Sequence, residues 1–172
     1  MTGVLPALAD GLNRTSRVLD RACLAGAMGF TVLLLILVLV QVFARYVLAQ
    51  PPGWTEEAGR YCMIWAGLLG ASVAFRRRQD PRLLAIEQLV GRRLRLAELA
   101  DALTVLVFCG VLLAVSPGFV ARQALRHSDA LQLNMGLVGA ILPVFAAVML
   151  VHAGALLTAA WASAAQPRRE PG

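Results

Sequence analysis

Four stretches of the chain carry apolar residues with almost no charge between them, separated by short segments rich in Arg, Pro, Gly and Asp. The first stretch contains the core TVLLLILVLV at 31–40 and predicts a membrane-spanning helix over about 22–46. Its uncharged part, Ala22 to Ala44, would rise about 35 Å at 1.5 Å per residue, enough for a hydrocarbon layer of about 30 Å. A second span is expected over about 55–76. Pro51, Pro52 and Gly53 break the chain before it, Thr55 can cap it, and Glu56 and Glu57 suit the positive end of its dipole. Arg60 follows Glu56 by one turn, in the favourable order for an ion pair. The third and fourth spans are expected at about 99–121, with Pro117 near its end, and about 135–161, interrupted by Pro143.

Between the second and third spans, Leu83, Ile86, Leu89 and Val90 fall at helical spacing among Arg82, Glu87, Arg92, Arg93 and Arg95. This pattern predicts a short amphipathic helix over about 82–95 lying in the membrane interface. Arg76, Arg77, Arg78, Arg92 and Arg93 are expected to anchor the chain near lipid headgroups. The ends, MTGVLPALADG and AAQPRREPG, read as loosely ordered tails. The fold class expected is therefore all-α: four transmembrane helices and one interfacial helix, in a single membrane domain covering 1–172.

Composition agrees with lipid as the solvent. The 172 residues are 59% hydrophobic and 15% charged, whereas soluble domains carry about 25% charged residues. The net charge of +6 comes wholly from Arg, for there is no Lys. These Arg residues cluster at the ends of apolar runs rather than among aromatics, which argues against nucleic acid as a partner. Twelve of them (Arg14, Arg17, Arg21, Arg76, Arg77, Arg78, Arg82, Arg92, Arg93, Arg95, Arg168, Arg169) fall on the side shared by both termini, and Arg45, Arg60, Arg122 and Arg126 on the other. The positive-inside rule then puts both termini of this multi-pass protein in the cytoplasm.

Little in the spans suggests chemistry. Their middles contain no Asp, Glu, Lys or Arg; the polar residues are Thr31, Gln41, Ser72, Thr104 and His152. An autonomous ion-coupled carrier would need an acid or broken helices at mid-membrane depth. Cys23, Cys62 and Cys109 lie in separate apolar runs, so neither a disulfide framework nor a zinc site is indicated. His152 and His127 fall on opposite sides and cannot clamp a haem, and His152 reads as a hydrogen-bonded packing residue. No cofactor, metal or enzymatic activity is expected. Small residues recur at four-residue spacing in the second span, as Ala66, Gly70 and Ala74 and as Gly67 and Ala71. Such faces admit the close approach of another helix, either within the chain or from a membrane partner.

An ordered series of residues then carries a resemblance. It runs through Val42-Phe43-Ala44-Arg45-Tyr46-Val47, Trp54-Thr55-Glu56-Glu57, Arg60-Tyr61, Trp65 and Leu69-Gly70-Ala71-Ser72-Val73-Ala74-Phe75-Arg76. It continues more weakly at Ala130-Leu131-Gln132-Leu133 and Leu142-Pro143. The series resembles the small membrane subunit, DctQ-like, of tripartite ATP-independent periplasmic (TRAP) transporters. It departs after the second span, where Arg78-Gln79-Asp80-Pro81 stands at a place often held by a histidine. The resemblance implies a subunit that braces a large transport subunit, within a sodium-coupled uptake system for an organic acid such as a dicarboxylate, served by a periplasmic solute-binding protein. Membrane lipids are further expected partners. Within this frame, Arg45, Trp54, Glu56, Glu57 and Arg60 are expected to form a polar cluster at the periplasmic face, with Arg45 paired to Glu56 or Glu57. A self-associating four-helix carrier or channel, working without a large subunit, is the alternative.

Overall fold

The fold is known from a computed structural model, which describes residues 4–50, 52–77 and 92–165, with side chains for 10–50, 52–77 and 99–158. Among the described residues there are five helices: α1 (Val4–Val47), α2 (Gly53–Arg76), α3 (Arg92–Gln123), α4 (Met135–Gly139) and α5 (Ile141–Ala165). Among the described residues, four segments are long and apolar enough to cross a membrane: Asp10–Val47, Gly53–Arg76, Leu99–Gln123 and Met135–Thr158, the last spanning α4 and α5. The chain is thus an all-α membrane protein. Most of the expected interfacial helix at 82–95 lies outside the described residues.

At one end of the bundle, here the terminal end, α1 begins and α5 finishes. At the other, the turn end, short connections join α1 to α2 and α3 to α4. α1 is longer than its apolar run requires. It has 44 residues, about 66 Å at 1.5 Å per residue, and the stretch expected as a loose tail is helical from Val4. Pro6 is tolerated because it sits in the first turn, where a backbone N–H has no helical partner anyway.

The inward residues of α1 fall on one seam. Ser16, Asp20, Cys23, Ala27, Phe30, Leu34, Leu37, Gln41 and Ala44 are all buried or half-buried. Their alternating spacing of four and three is that of helices packing side by side at a shallow angle. Gly26 lets α1 approach α2 closely, since a Cβ there would lie 3.0 Å from Leu69 Cδ1. Nearby, the rings of Phe30 and Trp65 stack tilted, with centroids 5.4 Å apart.

α5 packs on α1, α2 and α3 and contributes to both buried clusters. One joins Cys23, Leu69 and Val73 to Ile141 and Val148; the other joins Phe75 and Cys109 to Ala146, Met149 and Ala153. Ala146 and Ala153 have no exposed surface, and small side chains there let three neighbours crowd one helix. α3 lies at the edge. Its outward stripe of Leu103, Val107, Val111 and Val115 is 60% exposed at each position, as expected of a surface wetted by acyl chains.

The two prolines act differently. Pro117 removes the N–H that would bond to the Leu113 carbonyl, yet α3 continues unbroken. Ser116 Oγ donates to that same carbonyl at 3.1 Å and so satisfies it. Pro143 has no such helper, and the helix breaks at Ala140, next to the Gly139 carbonyl that the ring would crowd.

The close approach at Gly26 generates a paired prediction. Gly26→Leu should destabilise the chain in detergent by about 1–3 kcal/mol through overpacking. Gly29→Leu, where an added Cβ meets nothing within 4 Å, should leave the denaturant midpoint unchanged.

Candidate functional site

Polar side chains concentrate at the two ends of the bundle, and α2 carries one group at each of its ends. At the turn end, Pro52 precedes the helix at φ −71° and ψ 126°, and α2 starts at Gly53. Thr55 is therefore not the cap expected for it; it lies inside the first turn and its hydroxyl donates to the Pro52 carbonyl at 2.7 Å. The preformed φ of proline moves the helix start two residues upstream.

Glu56 and Glu57, adjacent in sequence, point to different surroundings. Glu56 meets Arg60 at 3.9 Å, with both side chains about two-thirds exposed, a contact of the kind that contributes little. Glu57 is buried. Its Oε1 accepts from the Tyr61 hydroxyl at 2.7 Å, and its Oε2 accepts from the backbone N–H groups of Ala130 and Leu131 at 3.0 and 2.9 Å. The carboxylate thereby pins the α3–α4 connection onto the start of α2. Charge-assisted bonds to backbone N–H groups are stronger than neutral ones.

That connection is itself preshaped. Ser128 N–H donates to the Leu133 carbonyl at 2.9 Å, and Ser128 Oγ accepts from Leu133 N–H at 3.1 Å. Gln132 takes a left-handed φ of 53°. Asn134 caps α4 by accepting from Gly136 N–H at 2.8 Å and donates to the Ala124 carbonyl at 3.1 Å. A Cβ on Gly136 would stand 2.9 Å from Ala124 Cβ, so only glycine fits between cap and connection. The resulting pocket of about 490 Å³ is lined in part by Glu57, Arg60, Tyr61, Arg126, His127 and Asp129.

The expected pairing of Arg45 with Glu56 or Glu57 is not what the structure holds. Arg45 is exposed at the last turn of α1 and forms no ion pair among the described residues. The physical reason is competition: two amides and a phenol already fill Glu57, and Arg60 is one helical turn from Glu56. Trp54 stands 44% exposed in the first turn of α2.

The terminal end holds a second network, built on Asp20. Its carboxylate is buried against Arg77, at 3.0 Å from Nη2, and against Arg76, at 3.6 Å from Nη1. Arg76 Nε donates to Ser16 Oγ at 2.8 Å, and Ser16 Oγ lies 2.8 Å from His152 Nδ1. A guanidinium can only donate, so Ser16 Oγ accepts from Arg76 and shares a further hydrogen bond with His152 Nδ1. Nε2 is buried without a partner among the described residues. Three helices, α1, α2 and α5, meet in this network. His152 is hydrogen-bonded within the packing, as its sequence setting implied.

Asp20 and Ser16 were not among the expected site residues. The available signal was position: both lie on the buried seam of α1, where a lone acid among Arg14, Arg17 and Arg21 must find cations on another helix. Arg76 and Arg77, expected as headgroup anchors, both reach Asp20, Arg76 half-buried and Arg77 still exposed. Arg78 lies outside the described residues, and Arg92 and Arg93 open α3.

Between its two ends, α2 presents the small residues. Gly67 and Ala71 are exposed, while Ala66, Gly70 and Ala74 are half-buried. A Cβ added at Gly67 or Gly70 would meet nothing within 4 Å. The bundle therefore does not fill the notch made by these two glycines.

Residues 33–163 match the family model for tripartite ATP-independent periplasmic transporters, DctQ component. The chain belongs to the DctQ family. It is thus the small component of a TRAP transporter, a multi-pass membrane protein of a transport system. No curated protein matches this DctQ chain. The matched region includes Glu57, the α3–α4 connection and His152, whereas Ser16 and Asp20 precede it.

Two predictions follow from the networks at the ends of α2. Replacing Glu57 with Leu should speed hydrogen exchange at the Ala130 and Leu131 amides. Glu57→Gln, which keeps the shape and one carbonyl oxygen, should have a smaller effect; equal rates in all three proteins would show that the connection holds itself. Asp20→Asn should lower stability by about 1.5–3 kcal/mol, the worth of hydrogen bonds to a charged group. Denaturant unfolding in detergent reads this, and the loss should shrink when Asp20→Asn is made in an Arg77→Gln background, since Arg77 is the closer partner.

Proposed function

We propose that this chain is a stationary scaffold of a sodium-coupled, binding-protein-dependent uptake system for an organic acid, holding the large membrane subunit in place. The observation that carries the reading is the contrast along α2. Its two ends are pinned to the rest of the bundle, and its middle offers the unfilled notch at Gly67 and Gly70. Helices in lipid associate through close packing rather than water exclusion, and such notches are where a neighbouring backbone can come nearest. The large subunit is the partner we place there, against Ala66, Gly67, Gly70, Ala71 and Ala74.

In this reading both termini lie in the cytoplasm of a bacterial inner membrane, as the Arg distribution favours. The turn end then faces the periplasm. Arg45, Trp54, Glu56 and Arg60 are exposed there, beside a connection fixed by Glu57, and together they offer a surface to the solute-binding protein. Coupling to sodium belongs to the large subunit, because the middles of these four spans carry no Asp, Glu, Lys or Arg.

A Gly67→Leu, Ala71→Leu variant should keep its helicity and unfolding midpoint as an isolated chain, yet fail to co-purify with the large subunit. Vesicles containing all three components should accumulate an organic acid in response to a sodium gradient, and vesicles with this chain alone should not. Accumulation by the chain alone would replace the scaffold with a self-associating carrier.

A further inference from the structure

The outer face of α1 differs from its packing seam in a way that the scaffold role does not use. Arg14, Arg17 and Arg21 are spaced three and four apart, so they share one side of the helix. They flank the seam of Ser16, Asp20 and Cys23 rather than lying on it, and all three are exposed. Asp20, the neighbouring acid, is already held by Arg76 and Arg77, and none of the three forms an ion pair among the described residues.

Directly beyond them along the same face come Ala25, Met28, Val32 and Leu35, again all exposed. From Ala25 to Leu35 the helix rises about 15 Å, half of a hydrocarbon core of about 30 Å and so the depth of one leaflet. Cations at one level with a leaflet-deep apolar track beneath them match a molecule with an anionic head and acyl tails. A partner helix suits this face poorly. Met28 is 56% exposed, Val32 57% and Leu35 59%, and such bulky side chains hold a second backbone away, unlike the notch on α2.

We propose that this face of α1 binds one anionic phospholipid, with Arg14, Arg17 and Arg21 holding its phosphate. Planar guanidinium groups grip phosphate oxygens through paired N–H bonds, and the acyl chains lie along Met28, Val32 and Leu35. The site requires a membrane-spanning chain but does not depend on the scaffold role or on the large subunit.

Native mass spectrometry of the full chain, released from micelles doped with phosphatidylglycerol or phosphatidylethanolamine, tests this. Phosphatidylglycerol should be retained on the order of 100-fold more tightly, from three cations each contributing about a fivefold effect. An Arg14→Gln, Arg17→Gln, Arg21→Gln variant should lose that preference, and each single variant should lose about a fivefold share. Arg122→Gln with Arg126→Gln, at the turn end, should leave it intact. Equal retention of both lipids, or an unchanged preference in the triple variant and the singles, overturns the proposal. So does displacement of the lipid when the large subunit binds, since the face would then belong to a protein partner.

Discussion

Inside a bilayer, pressing apolar side chains together expels no water, so the force that assembles soluble cores is absent between membrane helices. What remains to fix helices relative to one another is dispersion at close contact and polar bonds at depths where a partner is worth having. In this chain the polar bonds stand at the two ends of α2, on Asp20 and its arginines at one end and on Glu57 at the other. Both carboxylates are buried, and an unpartnered charge in those places would be costly. Each therefore selects one arrangement of its neighbours out of the many that lipid alone would tolerate.

The remaining architecture follows from that selection. Asp20 sets the axial register of the α1–α2 hairpin, and the alternating seam of α1 then brings Gly26 against Leu69. His152 draws α5 into the same level through Ser16, which leaves α5 packed on three neighbours. Glu57 fixes the connection from which α4 and α5 descend, and the break that Pro143 forces at Ala140 falls just inside that fixed end. Carbonyl satisfaction works at the same scale. Ser116 rescues the one that Pro117 orphans, and the edge helix runs unbroken alongside α5.

Much of this was legible in the chain itself, because hydrophobic runs and Arg-rich ends report directly on what the solvent is. The four spans, the exposed Glu56–Arg60 contact and the packed role of His152 were all readable from spacing and residue type. The two networks were less so, and for a physical reason. The bonds to Glu57 come from backbone amides 73 and 74 residues away, and amides carry no sequence signature. Arg45 offered a visible cation nearby, and that visibility misled: a local charge pair in water is weak, whereas two fixed N–H groups and a phenol hold a buried carboxylate well. Asp20 was obscured by its flanking arginines, which suggest a uniformly basic helix start until the seam at 16, 20 and 23 is drawn.

The double grip on α2 also has a mechanical meaning. A rod clamped at both tips can neither slide along its axis nor roll about it, so its flank keeps a constant height and bearing within the bilayer. If the large subunit rests on Gly67 and Ala71, as we propose, it meets a datum against which its own displacement is measured, in the way a bearing housing stays still so that the shaft can turn.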